Sequence, residues 1–140
     1  MRQMRLLNNN EKENTLDDIP EIECTAVAAR DLERAESFAG TYGFRRAYGS
    51  YEELLADPDI DLVYIALPHS HHCRWTKAAL QAGKHVLCEK AFALNEEEAR
   101  EMVNLAKRKN LLLAEAIWTR YMPSRKIIEE IIRSGELGKI

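Results

Sequence analysis

Three short stretches, residues 22–29, 62–67 and 111–114, are apolar at most positions, and between them apolar residues recur at three- and four-residue spacing. A strand exposed on one face alternates apolar with polar residues, whereas one covered on both faces reads as a continuous apolar run. None of the three runs has a partner run one tight turn away, so hairpins do not account for them. Strands separated by amphipathic helices predict an α/β fold with a parallel sheet and right-handed crossovers.

The intervening segments carry helix signals. Asp31 stands as an N-cap before Leu32, Ala35, Phe38, Ala39 and Tyr42, and Gly43 stands where a left-handed C-cap is wanted. Ser50 with Glu53 makes a capping box for a short helix that Asp57 and Pro58 end. Trp75, Ala78, Ala79 and Ala82 form a stripe closed by Gly83, followed by a short strand over 84–88. Asn95 with Glu98 caps the strongest helix, acidic in its first turn and basic in its last, with Ala99, Met102, Val103 and Ala106 as its buried face. A final helix over 123–133 stops at Ser134 and Gly135. Residues 1–18 show neither period and read as a poorly ordered polar tail, with order beginning near Pro20.

A chain of 140 residues supports one core. Its net charge of -3 provides no general field for nucleic-acid phosphates or acidic lipids. No apolar run approaches the ~20 residues of a membrane span, and residues 1–7 are neither a signal peptide nor an anchor. Cys24, Cys73 and Cys88 are odd in number and lack paired short spacings, which fits reduced thiols and a cytoplasmic location.

An open parallel sheet binds ligands at the carboxyl ends of its strands. The residues there are Arg30, 68–72, 89–91 and 115–120. Arg30 is either a cation for a ribose 2′-phosphate, which indicates NADP, or a surface partner of Asp31 or Glu33. His69, Ser70, His71, His72 and Cys73 are dense in potential metal ligands, but no second pair with short spacing exists to close a site, so no metal is expected. Core packing is the plain reading of His71. Glu89 and Lys90, by themselves, read as a solvated turn after a strand.

Together these segments are similar to a known group. Ala28, Ala29 and Arg30; Leu67, Pro68, His69, Ser70 and His72; the stretch AGKHVLCEK over 82–90, followed by FALN; and EAIWTRYMP over 115–123 resemble the nicotinamide-dependent oxidoreductases of the glucose-fructose oxidoreductase, inositol dehydrogenase and MocA family. The resemblance is nearest to the branch of dimeric dihydrodiol dehydrogenase and NADP-linked D-xylose dehydrogenase. It implies a Rossmann-type domain with Lys90 as the catalytic residue, beside the nicotinamide ribose and the substrate hydroxyl, where an ammonium favours alkoxide-like charge. It further implies NADP held by Arg30, Leu67, Pro68, His69, His72, Glu89, Lys90 and Arg120, with Trp118 packing on the substrate, a diol or sugar. Trp118 reads equally as core for a second domain. Full-length members are expected to be homodimers.

The chain also departs from the family pattern. Its glycines are 40, 43, 49, 83, 135 and 138, and none can form the GxGxxG loop that cradles pyrophosphate. Ala91 stands where the family has Pro, which is expected to loosen the turn presenting Lys90. The expected organisation is a tail over 1–18, a truncated dinucleotide-binding domain over 19–120 lacking its first strand, and a helix over 121–140 leading to an absent substrate domain. Loss of that central strand would leave unpaired inner edges and an aggregating chain. The expected function is NADP-dependent hydride transfer to or from a secondary alcohol of a trans-dihydrodiol or sugar. The chain alone is expected to be inactive, and the alternative is a non-catalytic remnant that only binds or dimerises.

Overall fold

The computed structural model describes residues 2–6, as backbone, and residues 22–139. In chain order the elements are β1 (Arg2–Leu6), β2 (Glu23–Ala28), α1 (Leu32–Tyr42), β3 (Arg46–Tyr48), α2 (Tyr51–Ala56), β4 (Leu62–Ile65), α3 (His69–Gln81), β5 (His85–Glu89), α4 (Glu96–Lys109), β6 (Leu113–Ala116), a 3-10 turn (Trp118–Tyr121) and α5 (Pro123–Ser134). The strands form one sheet in the order β3-β2-β1-β4-β5-β6, every pair parallel. This is the doubly wound order, with its switch point between β1 and β4.

Local signals explain most boundaries. The Asp31 carboxylate accepts from the Arg34 amide at 3.0 Å, Ser50 Oγ from the Glu53 amide at 3.2 Å and Asn95 Oδ1 from the Glu98 amide at 2.9 Å, each relieving an orphan donor at a helix start. Gly43 ends α1 at φ +74°, a conformation that costs a residue with a Cβ more than it costs glycine. The core lies on both sheet faces. Ala26, Ala28, Val63, Ile65, Val86 and Cys88 line one face, with Leu54, Leu80 and Ala106 from the helices packed among them, and Val27 packs with Ala39 and Phe44 on the other.

Two expectations need correction. Arg2–Leu6 are not a tail: they form the central strand, with Met4 opposite Ala26 on one side and Val63 on the other. The ladder is made by backbone groups that any non-proline residue supplies, so a short polar segment can fill a vacancy between two buried strands. The inner edges of β2 and β4 are therefore paired. The rest of the expected tail, residues 7–18, lies outside the described residues. In α4 the buried residues are Met102 and Ala106, with Leu105 packed against the core, while Val103 is 37% exposed. The expected stripe holds at Met102 and Ala106, and Leu105 takes the place expected of Val103 at its edge. The edge strand β3, only 3 residues long, carries no periodic signal.

Candidate functional site

A cleft of about 870 Å³ opens at the carboxyl ends of β2 and β4. Its β2 side is built from Ala29, Arg30, Asp31 and Arg34, its floor from Gly49, Ser50, Tyr51 and Glu52, and its β4 side from Leu67, Pro68, His71, Arg74 and Trp75. At Gly49 the backbone runs close to the start of α1, where an added Cβ would lie 3.3 Å from Leu32 Cβ and press that side chain aside.

Asp31 Oδ1 accepts from the Arg34 amide, and the exposed guanidinium of Arg30 has no ion-pair partner among the described residues. Arg34 lies one helical turn further on and faces the same cleft. Burial pushes the Tyr51 hydroxyl above its usual range, with Arg30 and Arg34 pulling the other way. Arg74 places its guanidinium 4.9 Å from the centre of the Trp75 ring.

The histidines are reversed relative to the sequence reading. His71 is exposed and lines the cleft, whereas His72 is fully buried. The buried residues of α3 are His72, Cys73, Trp75, Thr76, Ala79 and Leu80, and His71, one turn before Trp75, lies at the rim of that face, exposed with Arg74. The His72 ring lies against two backbone carbonyls, Nε2 2.8 Å from Leu67 O and Nδ1 2.8 Å from Ala91 O. His69 is exposed at the start of α3, with its ring centre 5.4 Å from that of His72. Among the described residues no group of three or more His, Cys, Asp or Glu side chains is placed to hold a metal.

Lys90 follows β5 and is exposed, with no hydrogen-bond or ion-pair partner for its ammonium among the described residues. The backbone beneath it is tied down. Glu89 Oε2 accepts from the Lys90 amide at 3.1 Å, and Tyr64 of β4 donates to Glu89 Oε1. Glu115 Oε1, from β6, accepts from the Phe92 amide at 2.9 Å. The Lys90–Ala91 peptide is cis. In place of a proline ring, side chains of β5, β6 and α3 contact the backbone of the turn. Trp118 (62% exposed) and Arg120 sit on the 3-10 turn after β6, and Arg120 borders a separate depression with Ile117, Thr119 and Arg125.

Arg30, Leu67 and Pro68 thus meet in one cleft, Glu89 and Lys90 stand one strand beyond β4 at the same carboxyl end of the sheet, and Trp118 and Arg120 lie beyond them. Sequence reasoning missed Arg34, Tyr51 and Arg74 in the cleft and Tyr64 beneath Lys90, and it placed Glu115 at a strand end without its bond to the Phe92 amide. Only Arg34 had a usable signal, its i+4 spacing from Arg30.

The fit to a dinucleotide is strong at two points. The paired guanidiniums at the end of β2 suit a phosphomonoester, and the end of β5 offers an unpartnered ammonium. The segment between β1 and β2 is outside the described residues, and no glycine precedes Gly40 in the sequence.

Comparison with known proteins agrees with this geometry. Residues 2–116 match the GFO_IDH_MocA family, described as an oxidoreductase family with an NAD-binding Rossmann fold. The chain is 46% identical to D-xylose 1-dehydrogenase (NADP(+)) of Hypocrea jecorina over 128 residues, 89% of this chain and 32% of that one. It is 48% identical to trans-1,2-dihydrobenzene-1,2-diol dehydrogenase of Oryctolagus cuniculus over 120 residues, 86% of this chain and 36% of that one. It thus spans about a third of the length of these curated relatives. Among solved structures, a 3-ketoreductase from Actinomadura kijaniata in complex with NADP and TDP-benzene matches with a TM-score of 0.83 at 28% identity, covering 96% of this chain and 44% of that one. Myo-inositol 2-dehydrogenase from Lactobacillus plantarum matches with a TM-score of 0.80 at 25% identity, covering 99% and 42%.

Proposed function

Because the chain belongs to the GFO/IDH/MocA family of oxidoreductases, we propose that it binds NADP along the carboxyl edge of its sheet and serves hydride transfer to or from a secondary alcohol of a trans-dihydrodiol or sugar. The observation that carries this reading is the pair Arg30 and Arg34 on one wall of the cleft, with Oδ1 of the neighbouring Asp31 engaged in a helix cap. A ribose 2′-phosphate brings two negative charges to two guanidiniums, whereas the bare 2′-hydroxyl of NAD leaves them unpaired.

β1 together with residues 22–120 acts as the dinucleotide-binding unit and 121–140 as the connection towards a substrate domain. Leu67, Pro68 and His69 flank the cofactor at the end of β4. His72 acts from beneath, through the carbonyls it holds. The nicotinamide supplies a two-electron hydride acceptor or donor. Lys90 faces the substrate hydroxyl, stabilises charge developing on that oxygen and holds or releases its proton, with Glu89 fixing the Lys90 backbone. Trp118 offers an apolar face to a diol or to the carbon side of a sugar, and Arg120 adds a cation for the cofactor. The active assembly is a homodimer located in the cytoplasm. Among the described residues, no helix is long and apolar enough to cross a membrane.

Fluorescence titration of the chain with NADPH and NADH tests the reading. Saturable NADPH binding at least about tenfold tighter than NADH is expected, equivalent to about 1.4 kcal/mol. Equal affinities, or no binding of either at millimolar concentration, would sink it. A second reading, a module that binds or dimerises without chemistry, is favoured by the exposed apolar face of α5, where Ile127, Ile128 and Ile132 are 58%, 56% and 48% exposed. It predicts self-association that NADPH leaves unchanged.

A further inference from the structure

We propose that His72 and Glu115 are positioning residues for Lys90, forming a two-point clamp on the turn that presents it. The proposal rests on the reading of Lys90 above and adds residues that do not themselves touch ligand.

The clamp is built from both sides of the turn. His72, fully buried on α3, bridges Ala91 O and Leu67 O at 2.8 Å each, so one ring couples the turn after β5 to the residue that ends the β4 run and lines the cleft. Carbonyl oxygens only accept, so each bond requires a proton on the nitrogen concerned, and the ring donates to both only when it carries two. Glu115 reaches from β6 to the next residue, accepting from the Phe92 amide at 2.9 Å. Phe92 itself packs against the core, so the far side of the turn is anchored by its side chain as well. With a proton on His72 Nδ1, the polar backbone groups of Ala91 and Phe92 are tied to two different elements, while Lys90 keeps an exposed side chain with no partner among the described residues.

A satisfied backbone under an unsatisfied cation is the arrangement that presents a charge at a defined place. The immobile turn limits the positions the ammonium can reach, and nothing in the described residues competes for it. Glu89, the last residue of β5, accepts from the Lys90 amide and is itself held by Tyr64 of β4, so it steadies the turn where the turn leaves the sheet. His72 and Glu115 act beyond Lys90, at Ala91 and Phe92, from two neighbouring elements.

The test uses the whole chain and separates the clamp from the reading it serves. Amide exchange is measured residue by residue in Glu115→Met, Glu115→Gln and His72→Asn. Gln keeps an oxygen that accepts from the Phe92 amide and Met does not. Exchange at residues 90–92 should accelerate about tenfold or more in Glu115→Met and His72→Asn, with α1 and α4 unchanged, and Glu115→Gln should restore protection. In parallel, the Lys90 side-chain resonance is followed during NADPH titration. It should shift in the unsubstituted chain and lose most of that shift in Glu115→Met, while NADPH still binds. Unchanged exchange at 90–92 in folded Glu115→Met overturns the proposal, as does exchange that rises equally everywhere. If His72→Asn does not fold, the two Glu115 variants decide. Local loosening with no NADPH response at Lys90 even in the unsubstituted chain overturns the proposal through its premise, and leaves the clamp as architecture only.

Discussion

The guanidinium of Arg46 stands 2.5 Å from the carboxylate of Asp57, tying the edge strand β3 to the end of α2. Asp57 is 6% exposed and also accepts from Tyr48 Oη at 2.9 Å and from the Asp59 amide at 2.9 Å, while Lys84 Nζ donates to its carbonyl at 2.6 Å. The knot holds the β3–α2 connection, and that connection forms the cleft floor. Burial pushes the Asp57 carboxyl up, but the Asp59 amide, the Tyr48 hydroxyl and Arg46 outweigh it and hold it below its usual range.

A carboxyl held low in the folded state stabilises fully above its unfolded value, and that contribution is lost as pH falls through the folded value. Asp57→Asn should therefore cost about 2 kcal/mol near neutral pH and progressively less in acid. Denaturant melts of both chains from pH 7 to pH 3 check this, and a constant gap across that range would count against the knot.

The central strand gives the sharpest stability prediction. Met4→Pro removes an amide and fixes φ in a strand flanked on both sides, and should cost about 3 kcal/mol or more. The same substitution in an unstructured tail would leave the melting curve where it was.

Arg30→Ala should weaken NADPH binding by about 1.5–3 kcal/mol and leave NADH nearly unchanged. The ratio of the two dissociation constants is the measurement. An unaltered ratio would return Arg30 to the solvent surface.

Where turnover can be followed, Lys90→Met should lower kcat by about 10² to 10⁴ while the cofactor dissociation constant stays within a few fold. Loss of turnover only through loss of binding would make Lys90 a ribose-holding residue.

The α5 face predicts a dissociation of surface chemistry from stability. The helix has no buried residue, so Ile128→Glu with Ile132→Glu should change stability by no more than about 0.5 kcal/mol per site. Binding of a hydrophobic dye should fall, and a large drop in melting temperature would show that the face packs on something in the chain.

The α/β alternation, the caps at Asp31, Ser50 and Asn95 and the left-handed stop at Gly43 were legible in the sequence, because each depends on residues within a turn of one another. So were the ends of β2 and β4 that border the cleft, and the segments similar to the family that the chain then matched. What the tertiary structure alone decided is longer in range. The place of Arg2–Leu6 depends on a vacancy between β2 and β4, filled by backbone groups whose bonding capacity is nearly the same in every residue. The exchange of His71 and His72 depends on how α3 is rolled against the sheet, since a shift of one residue turns a helix by about 100° and carries a side chain from cleft to core. The clamp on Lys90 joins residues 19 and 23 positions apart in sequence. No local pattern records such a pairing, because the hydrogen bonds exist only once three separate elements have packed.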